Sequence, residues 1–201
     1  DRNTTLNQNM VVIGTSGVGK TTYMIQKILR YAIQDYQIYI IDPENEYTRI
    51  VESLGGSVLH LTSNAKYKIN PLQIFSEEIL SADEAVTNLD ELVKDKIQRL
   101  KGFFEVLKDD MTQVEKAVMD NIVKNAYINS GILKYNRLNE IKNEQWPTLS
   151  NVYDELTKLS EKDPEKFKTI KDFYFILGSY THGSNTLFDG ATNINLDTKI
   201  V

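Results

Sequence analysis

The sequence predicts an α/β chain: a parallel sheet flanked by helices, interrupted by an all-α helical-bundle insertion. Three observations carry this reading. Short apolar runs alternate with helical patterns over residues 1–75, helical texture is continuous over 76–172, and residues 173–201 lead into "NTLFDGATNINLDTKIV", a turn-rich return to the sheet. Strands that alternate with helices need crossover connections, and crossovers give parallel pairing.

Taken in order, strands are expected at 10–13, 37–41 and 57–61, and helices from Gly19 to about Gln34 and from Glu46 to Leu54. The first helix carries a stripe at Met24, Ile25, Ile28, Leu29 and Ala32, the spacing of a face that packs on a sheet. Gly55 and Gly56 stop the second helix by adopting a conformation other residues resist. In the insertion, Ser81 with Glu84 and Thr112 with Glu115 match the capping box, and Asp163 before Pro164 is a third start signal. Apolar positions from Leu89 to Leu107 make one face of a long helix. Val114, Val118, Ile122, Val123 and Ala126 make another, and Trp146 reads as a core anchor for the bundle.

Composition limits the function classes. At 201 residues, 41% hydrophobic and 25% charged, the chain has ordinary globular values and enough length to bury a core. The absence of cysteine excludes a disulfide framework and thiolate metal sites, and fits a reducing compartment. A net charge of −5 lacks the basic footprint of a general nucleic-acid binder. No apolar run approaches the roughly 20 residues of a membrane span, and no signal-peptide pattern opens the chain. Asp1 in place of Met, and the apolar pair Ile200 and Val201 at the other end, read as an excised piece of a longer protein.

The chemistry begins at "GTSGVGKTT", Gly14 to Thr22, between an apolar run and a helix start. It satisfies the Walker A spacing G-x-x-x-x-G-K-[ST] in full. Gly14, Thr15, Ser16, Gly17, Val18 and Gly19 form a loop whose N–H groups can converge on an anion at the positive end of a helix dipole. Lys20 is expected to reach the β- and γ-phosphates of a nucleotide, Thr21 to give its hydroxyl to Mg²⁺, and Thr22 to lie near the α-phosphate.

About twenty residues on, "IIDPENEY" places Asp42, Glu44 and Glu46 after an apolar run. Ligands of parallel sheets bind beyond the carboxyl ends of the strands, so these carboxylates are expected to face the phosphate loop. Glu44 is the candidate to orient and deprotonate a water attacking the γ-phosphate. Asp42 is expected to hold a metal-bound water or to fix the loop. Glu46 reads most simply as a first-turn acid of the following helix.

"GTSGVGKTT", "IYIIDPENEY", "LGGSVLHL" and "INPL", in that order, resemble the ATPase domain of conjugative-transfer and type IV secretion ATPases, in the HerA and FtsK branch of RecA-like P-loop motors. The resemblance is close over residues 8–75 and looser over the insertion and "LFDGAT". It implies a RecA-like NTPase core, ATP with Mg²⁺, and a catalytic glutamate after the strand that follows the phosphate-loop helix, where Glu44 stands. It further implies a hexameric motor in the cytoplasm at the inner face of the cell membrane. Its partners would be secretion-channel subunits and a coupling ATPase, and its substrates DNA or protein.

One part of that pattern is missing. The second acidic (Walker B) strand is not found, since neither "NTLFDG" before its Asp189 nor "INLD" with Asp197 has the expected apolar run. Truncation before that strand and the arginine finger is the expected reason. Elsewhere, His60 reads as a packed strand residue and His182 as a loop residue. Lys66, Tyr67 and Lys68 interleave a ring with two cations, which leaves a DNA contact open beside an ordinary surface loop. Two alternatives to the motor stand beside it: a nucleotide-binding scaffold without turnover, and a P-loop phosphotransferase.

Overall fold

The computed structural model describes residues 9–60, 62, 66–75 and 88–194. The expected helix start at Ser81 and Glu84, and Asp197, Ile200 and Val201, lie outside the described residues. The chain divides into two compact units, Asp1–Leu59 with Asn195–Val201, and His60–Ile194.

In the first unit, α1 runs from Lys20 to Ile33 and α2 from Thr48 to Ser53. Both stand where the sequence pattern puts helices, because helical hydrogen bonds close within the segment that makes them. Helix α2 ends in a Schellman motif: the Gly56 N–H donates to Val51 O at 2.9 Å and the Gly55 N–H to Glu52 O at 3.0 Å. Gly55 has the left-handed φ of 74° this stop requires.

The expected parallel sheet is not present among the described residues, and the RecA-like sheet core is corrected accordingly. Residues 10–13, 37–41 and 57–60 form no ladder, and the one residue in an isolated β-bridge among the described residues is Ile38. Val11, Ile13 and Ile41 are 80%, 90% and 95% exposed. The physical reason is that strand character is not local. A strand satisfies its N–H and C=O groups and covers its apolar faces only through neighbouring strands, so an apolar run of the right length does not by itself make one.

The second unit is helical. Helix α3 (Leu89–Leu107) starts on Asn88, whose side chain accepts the Asp90 N–H. Helix α4 (Gln113–Ser130) carries the expected capping box of Thr112 and Glu115. Helix α5 spans Leu149–Lys162, α6 spans Pro164–Lys168 with Asp163 as its cap, and α7 spans Lys171–Thr181. Helix α3 packs on α4, α4 on α5, and α5 on both α6 and α7.

Their shared core contains Tyr127, Leu149, Leu156, Ile170, Phe173 and Leu177, all fully buried, together with the buried Trp146. Leu100, Phe104, Val118, Ile122, Val123 and Ala126 join it as their spacing predicts, whereas Val114 is exposed.

Two stretches distant in sequence close this unit. Ile69 N donates to Leu187 O at 3.0 Å, Asn193 N to Lys68 O at 3.2 Å, and Asn70 N to the Thr192 hydroxyl at 2.9 Å. The fully buried Asn70 also donates its amide to Pro147 O at 2.9 Å and accepts the Leu72 N–H at 3.0 Å. "INPL" and "LFDGAT" therefore meet, with the Asn70 side chain satisfying backbone groups that water cannot reach.

Candidate functional site

The loop expected to bind phosphate is built by two left-handed glycines. Gly17 has φ 81° and Gly19 φ 92°, values that cost a side-chain-bearing residue about 1 kcal/mol or more. Gly19 is also the N-cap of α1, and no acidic residue in the first turn neutralises that helix end. The Lys20 side chain folds back over the loop, its ammonium donating to Gly14 O and Thr15 O at 2.9 Å each. Thr15, Ser16, Val18 and Thr22 are exposed around it.

The acidic turn is held by Asp42. Its Oδ1 accepts the Glu46 N–H at 3.0 Å and its Oδ2 the Tyr47 N–H at 2.8 Å. Foremost the Tyr47 N–H, then those of Glu46 and its neighbours, hold the Asp42 carboxyl below its ordinary value against a smaller opposing effect of desolvation. Asn45 sits at φ 58°, its side-chain oxygen accepting from the Thr48 hydroxyl, and reverses the chain between Glu44 and Glu46. Burial, then the charges of Glu46, Asp42 and Glu44, push the Tyr47 phenol up, so all three carboxylates act on this one ring.

The turn reaches the loop through Glu46. The Thr21 hydroxyl donates to Glu46 Oε2 at 2.8 Å. Glu44 is exposed, and its carboxylate has no hydrogen-bond partner among the described residues. Of the three acids, Asp42 has both oxygens on backbone N–H groups, Glu46 touches the residue expected to meet the metal, and Glu44 stands at the tip.

Sequence reasoning missed the part played by Glu46. The signal was present: an Asp at i that caps N–H groups at i+4 and i+5 folds a turn that places the residue at i+4.

Several other residues resolve differently from their sequence reading. Lys68 is not a free cation beside Tyr67, because its ammonium donates to Thr186 O at 2.6 Å and to the Thr186 hydroxyl at 2.8 Å. His60 is exposed rather than packed. His182 stands in the turn after α7, as a loop residue is expected to, with its Nδ1 2.8 Å from the Thr181 hydroxyl and its ring 4.8 Å from that of Tyr153. Asp189 caps α5 by accepting the Ser150 N–H at 2.8 Å and its hydroxyl at 2.6 Å. No group of three or more His, Asp or Glu that could hold a metal occurs among the described residues.

A glycine loop at a helix start, closed by a hydroxyl on an acidic turn, is the kind of site a nucleotide-binding protein presents. The chain belongs to the family described as helicase HerA, central domain, which matches residues 1–198. Among solved structures it is similar to VirB4 of Thermoanaerobacter pseudethanolicus, with 27% identity and a TM-score of 0.75. That match covers 93% of this chain and 46% of the other, so this chain spans about half the length of its structural relative. No curated protein matches it. The resemblance drawn from the sequence, to conjugative-transfer and type IV secretion ATPases of the HerA and FtsK branch, is borne out by these two matches.

Proposed function

We propose that this chain is the ATP-binding and hydrolysing part of a motor that energises conjugative DNA transfer, or the assembly of and transport through a type IV secretion channel. The observation that carries the reading is the Thr21 to Glu46 hydrogen bond, which sets an acidic turn against a Walker A loop inside one compact unit. Membership of the HerA family supports it.

In this reading the N–H groups of residues 14–22 cradle the phosphates. Lys20 exchanges the carbonyls of Gly14 and Thr15 for phosphate oxygens. Thr21 and Glu46 offer oxygen donors of the kind a hard cation takes, and Mg²⁺ commonly uses one or two protein oxygens together with phosphates and waters. When bound, Mg²⁺ offsets the charge of the phosphate oxygens.

Asp42 fixes the turn that aims Glu46 at Thr21. Glu44, uncommitted at the tip, is the group proposed to orient the attacking water and take its proton. The family likeness further supports a homo-oligomer, a hexamer in the parent protein, working beside channel subunits and a coupling ATPase at the cytoplasmic face of the membrane. No described helix is long and apolar enough to cross a membrane.

The test is ATP binding by this chain, and ATP hydrolysis by a longer chain that includes the second acidic strand, each beside Lys20→Ala. Binding by the first and turnover by the second are expected, with loss of both in the variants. Tight binding with no turnover by the longer chain would reassign the domain to a scaffold, and phosphate transfer to an added hydroxyl acceptor would reassign it to a phosphotransferase.

A further inference from the structure

We propose that Tyr23, with Met10 beside it, is the platform on which the base of the bound nucleotide stacks. The inference rests on the phosphate-loop reading and adds to it the part that recognises the nucleoside.

The first support is position. Tyr23 is the fourth residue of α1 and closes its first turn, its N–H donating to Gly19 O at 2.9 Å. Residues three and four apart are neighbours on a helix, so Lys20 stands between Tyr23 and Met24, and Tyr23 lies on the exposed flank of Lys20, away from the buried Ile28. Helical side chains lean toward the helix N-terminus, which sets the Tyr23 side chain back over the turn beginning at Gly19. An aromatic ring is thereby held one helical turn from the loop expected to bind phosphate.

The second support is the ring's setting. The Tyr23 hydroxyl donates to Met10 Sδ at 3.8 Å, tying the ring to the extended stretch that enters the loop. Sulfur beside an aromatic ring is a favourable, polarizable contact. The Lys27 ammonium lies 5.9 Å from the ring centre. Tyr23 is 42% and Met10 51% exposed, so a large apolar surface beside the loop stays open to solvent. Two apolar side chains tied together next to a cationic, amide-lined loop match the two halves of a nucleotide: a flat base and a chain of phosphates.

The chemistry also sets the specificity. Stacking uses the face of the base, which every base has, and neither the Tyr23 ring nor the Met10 thioether distinguishes one base edge from another. The platform therefore holds adenine and guanine nucleotides alike and contributes nothing to a ligand without a base.

The experiment measures the affinity of the chain, and of Tyr23→Ala and Tyr23→Phe, for ATP, GTP and inorganic tripolyphosphate by titration calorimetry with Mg²⁺. Tyr23→Ala is expected to weaken ATP and GTP about 10-fold and to leave tripolyphosphate unchanged, while Tyr23→Phe keeps all three within about twofold. Unchanged tripolyphosphate affinity also shows that the loop of the variant is folded. ATP bound by Tyr23→Ala as tightly as by the parent chain overturns the platform and leaves the phosphate loop standing. Equal loss of ATP and tripolyphosphate overturns it as well, by making Tyr23 a support of the loop. A parent chain that binds neither ligand removes the phosphate-loop reading and this inference with it.

Discussion

The Thr21 hydroxyl and the Glu46 carboxylate stand 2.8 Å apart although 25 positions separate them in the chain. The contact joins the first turn of α1 to the acidic turn before α2. It also divides three neighbouring carboxylates into three settings, with Asp42 on backbone N–H groups, Glu46 on a hydroxyl and Glu44 at an exposed tip.

Those settings predict different losses on neutralisation. Glu44→Gln should keep ATP affinity and lower turnover about 10²- to 10³-fold, the scale of a lost transition-state contact. Glu46→Gln should instead raise the Mg²⁺ concentration needed for half-maximal turnover, because a neutral amide is a weaker partner for a cation. Steady-state rates across a Mg²⁺ titration separate the two. Full turnover in Glu44→Gln would transfer the catalytic assignment to another group.

Acid should release the turn. The Asp42 carboxyl titrates below its ordinary value of 3.8, so its stabilising effect is fully present above that value and disappears as pH falls through the lower, folded one. Amide hydrogen exchange at Glu46 and Tyr47, corrected for intrinsic rates, should show constant protection from neutral pH down to about 4 and loss below it. Asp42→Ala should lack that protection at every pH. Amides equally protected in the variant would mean that Asp42 does not hold the turn.

Asn70 should be costly to remove. It is fully buried and spans Pro147 O and the Leu72 N–H, so Asn70→Ala strands two polar groups in the core of the second unit. A loss of about 3 kcal/mol is expected, read as a lower urea midpoint at unchanged slope. A midpoint within error of the parent chain would show that these groups find other partners.

Much of the helical structure was legible in the sequence. The Thr112 and Glu115 capping box, Asp163 with Pro164, the Gly55 and Gly56 stop and the α3 stripe all appear where the pattern puts them. Each is a device whose donors, acceptors and faces lie within a few residues of one another. The backbone of the glycine loop before α1 belongs with them, since its glycines act through their own φ angles.

The sheet was not legible in that sense: strand formation depends on partners that no apolar run specifies, and none pairs the stretches at 10–13, 37–41 and 57–60 in a ladder. The roles of the acids also had to wait for coordinates. Asp42, Glu44 and Glu46 are chemically near-equivalent in sequence, and only the reversal at Asn45 turns Glu46 toward Thr21. Likewise, Lys68 reads as a free cation until Thr186, 118 positions away, is seen to receive it.

The sequence by itself determined the helices, their caps and a glycine loop at the start of α1, because short-range hydrogen bonds and backbone sterics act between neighbours in the chain. Only the tertiary structure decided which carboxylate meets Thr21, where Lys68 goes and that the apolar stretches at 10–13, 37–41 and 57–60 form no ladder among the described residues. Those outcomes depend on groups brought together from distant positions, and the residue types alone do not encode the distance between them.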